Sequence, residues 1–442
     1  MSKSVKMNAR QAAFQVLLRV EEGAFLSPLV QEMMREKGLA PIERPLFSEL
    51  VNGVLKNRLY LDFFLQKWVN RPFNSLSLKV QTALRLGLYQ IHFLDGIPPH
   101  AAVMETVELI KKEERKATGL TNAVLRRAAA HEGFSIKSKK GLTGHLSIEY
   151  SHPLWMIQRW LKRYGPETTE AFLKINQEQP RVYARLNTLK VTAAELEAEL
   201  EQKGLLYEKS ELNETAYILS GSLSDFNKFF QLGWLNLQDL GTMLIVDIIK
   251  PKPDERVLDM CAAPGGKTSH LAALMGNQGE IHALELHPGR FRALKRNLQT
   301  LGVENTKPYL QDATKWLAEP YDKILLDAPC SGTGVLGRKP DARWKKSYQQ
   351  ILELSQLQKE LLESGFKNLK PGGHLLYSTC SLEWEENEKN IQWFLENEPK
   401  AKLLPFSVPT LQGLEKSSGQ FNLLPNLSGG DGFFMALLTK LK

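Results

Sequence analysis

Apolar residues recur every three to four positions through the first third of the chain: Phe14, Leu17 and Leu18; Leu84, Leu88 and Ile91; Val103, Val107 and Ile110. That spacing lines one face of a helix and predicts an all-helical region over residues 8–130. Asn8 is placed to cap the first helix, and Pro98-Pro99 separates two later ones before HAAVMETVELIKKEERK resumes the period. Short connections between such helices predict a compact bundle. The stretch from about 131 to 147, EGFSIKSKKGLTGHLS, loses the period and gains Ser, Gly and Lys, which predicts a linker and a boundary near 145.

Beyond it, helical HPLWMIQRWLKRYG, alternating VYARLNTL and amphipathic AAELEAELEQKG predict a small α/β unit ending near 235. From residue 256 the period changes again. The apolar runs VLDM, IHALEL, ILLDAPC and HLLYSTC alternate with helical segments, the pattern of a largely parallel sheet covered by helices, hence a Rossmann-like domain. The expected organisation is a multidomain chain: a helical domain over 1–145, a small α/β linker domain over 146–235 and a Rossmann-like α/β domain over 236–442. Acidic EWEENEKNIQWFLENE reads as a structural helix with Ile391, Phe394 and Leu395 turned inward, and GDGFFMALL as a final strand pair beside the sheet.

Composition narrows the class. At 442 residues the chain is too long for one ordinary core. No apolar run approaches the ~20 residues of a membrane span, and the polar, basic start MSKSVKMNAR lacks a secretory apolar stretch, so a soluble, non-exported protein is expected. Three cysteines, 261, 330 and 380, make a disulfide framework improbable and fit a reducing cytoplasm. Residues 1–140 hold 22 Lys and Arg against 13 Asp and Glu, whereas the whole chain carries only +8. The basic excess therefore sits in the helical third, as expected of a module that grips a polyanion.

The segment ERVLDMCAAPGGKTSHLAALM is a strand, a tight loop with Gly265 and Gly266, and a helix start with Thr268 and Ser269 available to its first turn. Glu285 ends the next strand, where an acid can accept from both ribose hydroxyls, and Asp312 follows a third, where a carboxylate can take an adenine amine. The loop lacks a full G-x-G-x-x-G and contains Pro264, which suits an adenosine ligand without phosphates better than a dinucleotide.

With CAAPGGKT, DAPCSGTG and YSTCS in this order, the chain resembles the RNA cytosine-C5 methyltransferases. LGLYQIHFLDGIPPHAAVMETVEL and TNAVLRR resemble the NusB-like RNA-binding domain fused to the catalytic domain in the RsmB (Sun, Fmu) family. The resemblance implies methylation of carbon 5 of a cytosine in small-subunit (16S) ribosomal RNA. It also implies that S-adenosylmethionine binds at Cys261, Ala262, Ala263, Pro264, Gly265, Gly266, Lys267, Glu285, Asp312 and Asp327.

Cytosine carbon 5 is a poor nucleophile, and a thiolate adding at carbon 6 turns the ring into an enamine-like species that can attack a methyl sulfonium. A second group must then help remove the C5 proton before the thiolate leaves. Cys330 follows ILLDAP and Cys380 follows HLLYST, so each thiol is expected where a strand ends beside the crevice. Spacing does not choose between them. The family resemblance does, implying Cys380 as nucleophile and Cys330 as the group assisting proton removal or release. Asp327 is placed to bond the N3 and amino edge of the base.

After the PC motif, GVLGRKPDARWKK sets Arg338, Lys339, Arg343, Lys345 and Lys346 around Trp344, a pattern suited to steering phosphate and stacking a base. The target is expected in a loop or bulge of folded RNA. The expected protein is a cytoplasmic monomer that needs no metal. The alternatives are the same chemistry on another RNA such as transfer RNA, a non-catalytic RNA-binding or antitermination factor, and a thiol–disulfide protein, the last made remote by the 50-residue separation of Cys330 and Cys380.

Overall fold

A computed structural model of the chain describes residues 7–35, 39–131, 133–136 and 141–442. The basic start at 1–6 and residues 132 and 137–140 of the expected linker lie outside the described residues. The chain divides into two compact units, residues 1–177 with 339–345, and residues 178–338 with 346–442.

The first unit is helical. Helices Ala9–Glu21, Arg44–Lys56, Arg58–Leu65, Leu78–Phe93, Pro99–Glu113 and Thr118–Ala129 bury Phe14, Phe47, Phe64, Leu84 and Leu88 in one core. Asn8 caps the first of them, its Oδ1 accepting from the Gln11 N–H at 2.9 Å. Arg85, itself buried, is offset by Asp62 at 2.7 Å and Glu21 at 3.1 Å, as a buried cation requires. By its internal contacts this unit extends to Gln177. Gly141–Glu149 is a helix despite its Gly, Ser and Thr content, and Leu154–Gln177 continues the unit, bent at Gly165-Pro166.

In the second unit the four-stranded sheet comprises β1 (Val182–Leu186), β2 (Tyr207–Lys209), β3 (Ala216–Leu219) and β4 (Leu235–Leu237), in the order β2-β3-β1-β4. The helix Ala193–Gln202 packs Leu196 and Leu200 on it, its start fixed by a Thr192/Glu195 capping box.

The eight-stranded sheet takes β5 (Arg256–Asp259), β6 (Glu280–Glu285), β7 (Thr306–Leu310), β8 (Tyr321–Asp327), β9 (Leu369–Thr379) and β10 (Ala401–Leu403). After a separate hairpin, β11 (Ser407–Thr410) and β12 (Gly413–Lys416), it adds β13 (Gln420–Leu423) and β14 (Phe433–Lys440). The order is β10-β14-β9-β8-β5-β6-β7, with β13 also against β14. The five strands β5 to β9 pair in parallel, whereas β14 runs antiparallel to β9, so the sheet is mixed. Val257, Leu258, Ile324, Leu325, Leu375 and Leu376 are fully buried, which explains why these strands read as continuous apolar runs. Helices cover the faces; Tyr348–Lys367 starts at a Ser347/Gln350 capping box, and Glu388–Asn397 turns Ile391 and Phe394 inward. Among the described residues, no helix is long and apolar enough to cross a membrane.

The chain leaves β5 to build β6 on one side and returns to β8 on the other. Loops after β5 and β8 therefore diverge, opening a crevice at the strands' carboxyl ends.

Candidate active site

Asp259, Glu285, Asp327 and Thr379 end β5, β6, β8 and β9, so three acids and the cysteine that follows Thr379 stand at one rim of the sheet. The loop after β5 is held from both sides: Met260 N–H donates to Leu325 O at 3.0 Å, Ala262 N–H to Leu284 O at 2.9 Å. Gly265 has φ +105°, a left-handed conformation, and a Cβ there would lie 3.0 Å from Leu294. Thr268 and Ser269 do not cap the helix Gly266–Leu274. Thr268 Oγ1 donates to Asp259 Oδ2 at 2.7 Å, and Ser269 Oγ donates to Gly266 O at 2.9 Å while accepting from Arg185.

No side chain caps that helix, so its first-turn N–H groups suit an anionic group. Asp259 is buried, its Oδ1 finds no hydrogen-bond partner, and burial pushes its pKa up to about 6. Glu285 is buried and accepts from the His287 N–H at 2.8 Å, with Arg290 at 3.4 Å. Asp312 is more exposed, and the Thr314 hydroxyl and N–H hold it below the usual carboxylate range. This set of groups fits a ligand with a carboxylate, an ammonium, a ribose and an adenine amine.

Across the crevice the two thiols meet. Cys330 Sγ and Cys380 Sγ are 3.3 Å apart, both half-buried. The hydrogen bond to Cys380, then burial, pushes the Cys330 pKa well above the ordinary thiol value. Asp327 accepts from Ser378 Oγ at 2.9 Å and from Lys267 Nζ at 2.6 Å. Lys267 is half-buried, yet its pKa is raised: desolvation acts to lower it, and the Asp327 carboxylate, Asp259 and Cys380 outweigh that. Lys267 thus lies within electrostatic reach of Cys380.

The two thiol loops are joined further on. Leu382 N–H donates to Thr333 Oγ1 at 2.9 Å and Gly334 N–H to Cys380 O at 2.9 Å. Gly334 also approaches the segment before β14 so closely that a Cβ would sit 2.3 Å from Gly432 O. Thr333, Gly334 and Ser378 were not singled out from the sequence, although their places within DAPCSGTG and YSTCS were a signal.

Cys261 to Lys267, Glu285, Asp327, Cys330 and Cys380 thus stand at the carboxyl ends of β5, β6, β8 and β9, and Lys267 is ion-paired with Asp327. The structure corrects the basic segment. Arg343 is fully buried in the helical unit, where its guanidinium donates to Lys56 O at 3.0 Å, Asn176 O at 2.9 Å and Gln177 Oε1 at 3.2 Å. Trp344 packs on the helical core and donates to Leu55 O at 3.1 Å, so its ring is not free to stack a base. Lys345 donates to Ala24 O and stands over the Phe25 ring. Arg338 is held by Asp239 at 2.7 Å and Asp431 at 2.8 Å. Carbonyls and acids of the fold take these charges, whereas Lys339 is exposed and Lys346 half-buried.

A family model described as 16S rRNA methyltransferase RsmB/F matches residues 246–439. The NusB family matches residues 7–130, and a ferredoxin-like domain of RsmF/B-like methyltransferases matches 152–224. The chain is 34% identical to the probable ribosomal RNA small subunit methyltransferase B of Bacillus subtilis (strain 168), over 98% of this chain and 99% of that one. It is similar in structure to PH0851, with TM-score 0.81 and 31% identity over 99% of this chain and 100% of that one. It is also similar to NSun6 from Pyrococcus horikoshii, solved with SFG, with TM-score 0.58 and 25% identity over 64% of this chain and 97% of that one.

Proposed function

The chain belongs to the 16S rRNA methyltransferase RsmB/F family, and from that membership we propose that it methylates carbon 5 of a cytosine in small-subunit ribosomal RNA through a covalent bond from Cys380. The observation that carries the reading is the Cys330–Cys380 pair, 3.3 Å apart, beside the Lys267–Asp327 ion pair.

S-adenosylmethionine, when bound, supplies an electrophilic methyl group on a sulfonium. Residues of this chain would hold it: the first turn of Gly266–Leu274 would take its carboxylate, Asp259 its ammonium, Glu285 its ribose hydroxyls and Asp312 its adenine amine. The Cys261–Lys267 loop forms the wall between them. The hydrogen bond to Cys380 and burial hold the Cys330 pKa well above the ordinary thiol value, and the Lys267 ammonium lies within electrostatic reach of Cys380, the thiol to which the family resemblance gives the attack.

Cys380 Sγ bonds to carbon 6 of the cytosine, and the C5–C6 π electrons become available at carbon 5, which takes the methyl group. Asp327 accepts from the amino edge of the base and holds it flat against the thiol loops. Removal of the C5 proton lets those electrons re-form the double bond and expel the Cys380 thiolate. Cys330, in contact with that sulfur, assists proton removal or release. RNA recognition rests on the basic helical third, with Lys339 and Lys346 contributing charge.

The test is transfer of labelled methyl from S-adenosylmethionine to unmodified 16S ribosomal RNA, followed by nucleoside analysis and bisulfite sequencing. The reading predicts label in 5-methylcytidine at one position. Label in another nucleoside, or none in 16S ribosomal RNA while transfer RNA is labelled, would overturn it.

A further inference from the structure

Glu386 stands in the acidic run after the second thiol motif, the composition of a solvated face, yet its side chain is fully buried. It closes the short turn Trp384–Glu386 and reaches back between the two thiol loops. Its Oε1 accepts from the Ser331 N–H at 2.8 Å and from Gln358 Nε2 at 3.0 Å. Its Oε2 accepts from the hydroxyls of both Ser331 and Ser381. Those two hydroxyls are 3.1 Å from each other. Ser331 directly follows Cys330 and Ser381 directly follows Cys380.

One carboxylate therefore takes hydrogen bonds from the residue next to each thiol, one residue of chain (about 3.8 Å) away from either. Burying a carboxylate is costly unless it is fully bonded, and here four donors supply that. Its main chain is fastened too, since Glu386 O accepts from the Tyr377 hydroxyl at 2.5 Å, and Tyr377 lies in β9. Gln358, from the covering helix Tyr348–Lys367, also donates to Pro329 O at 2.8 Å, so the first thiol loop is held on both sides of Cys330.

We propose that Glu386 is a positioning residue for the reaction: its carboxylate clasps Ser331 and Ser381 and so sets the separation and aim of Cys330 and Cys380. It touches neither substrate nor cofactor. The proposal rests on the reading of these cysteines as the working thiols, but the clasp itself is testable without methyl transfer.

The first measurement uses the full-length protein in glutathione buffers. Glutathione disulfide is reduced to two glutathiones while Cys330 and Cys380 lose two electrons and two protons to form one S–S bond, and the equilibrium reports the effective concentration of the pair. Glu386→Gln places an amide against donors that need an acceptor. Ser331→Ala with Ser381→Ala removes the two hydroxyl bonds from the other side, leaving those from the Ser331 N–H and Gln358, and carries the test should Glu386→Gln fail to fold. Both variants should lower the effective concentration at least ~10-fold, and Glu386→Asp should recover part of it. In methyl transfer, kcat should fall by ~10²-fold with KM for RNA and cofactor affinity within about threefold. An effective concentration within twofold of the parent in the serine double variant would overturn the clasp, whatever the RNA assay shows. A normal clasp effect with no methylation by the parent protein would instead count against the reaction assigned above.

Discussion

Cys261 and the Cys330–Cys380 pair stand at carboxyl ends of neighbouring parallel strands, yet their surroundings oppose each other. Around Cys261, burial pushes the thiol pKa up and the charges of Asp259, Asp327 and Glu285 push it further, so no thiolate forms near neutral pH. Cys330 and Cys380 share a hydrogen bond, and the Lys267 ammonium, itself paired with Asp327, lies within electrostatic reach of Cys380. A strand end thus brings each thiol to the rim of the sheet, and the charges around it differ; in the proposed reaction the β5 end serves the cofactor through backbone and carboxylates, and the β8 and β9 ends serve the base through sulfur.

Substitutions that exchange these characters test the contrast. Cys380→Ser should have the largest effect, lowering kcat by ~10³-fold or more while calorimetric binding of S-adenosylmethionine stays unchanged; turnover near the parent rate would end the assignment. Lys267→Met leaves Asp327 without its cation and Cys380 without a nearby positive charge, and should cost ~10²–10³-fold in the single-turnover rate at saturating cofactor. Cys261→Ala should be the mildest, with kcat within ~3-fold and any loss falling on cofactor affinity. A loss of kcat comparable to that of Cys380→Ser would erase the distinction between the two strand ends.

The parts of this contrast differ in how openly the sequence displays them. The apolar runs ILLDAP and HLLYST mark Cys330 and Cys380 as strand-end thiols, because strands buried on both faces need continuous apolar residues. The 3.3 Å contact between them is not legible, since it depends on β8 and β9 lying side by side in parallel. Arg343 and Trp344 show the limit from the other direction. A basic run beside a reactive loop has the composition of a phosphate site, but the carbonyls of Lys56, Ser151 and Asn176, far apart in the chain, receive the guanidinium. Glu386 is hidden for the same reason, its four donors coming from three separate segments. The helix Gly141–Glu149 lies in a stretch whose lost period and Ser, Gly and Lys content predict a linker, whereas the burial of Leu146 supports a helix there.

The covalent bond from Cys380 is tested most directly by mapping the protein–RNA adduct that Cys330→Ala should accumulate once release is slowed. That variant, incubated with 16S ribosomal RNA and S-adenosylmethionine, digested with nuclease and protease and read by mass spectrometry, should carry a methylated cytidine on the peptide containing Cys380. Attachment at any other residue, or no adduct while methylation proceeds at the parent rate, would contradict the account.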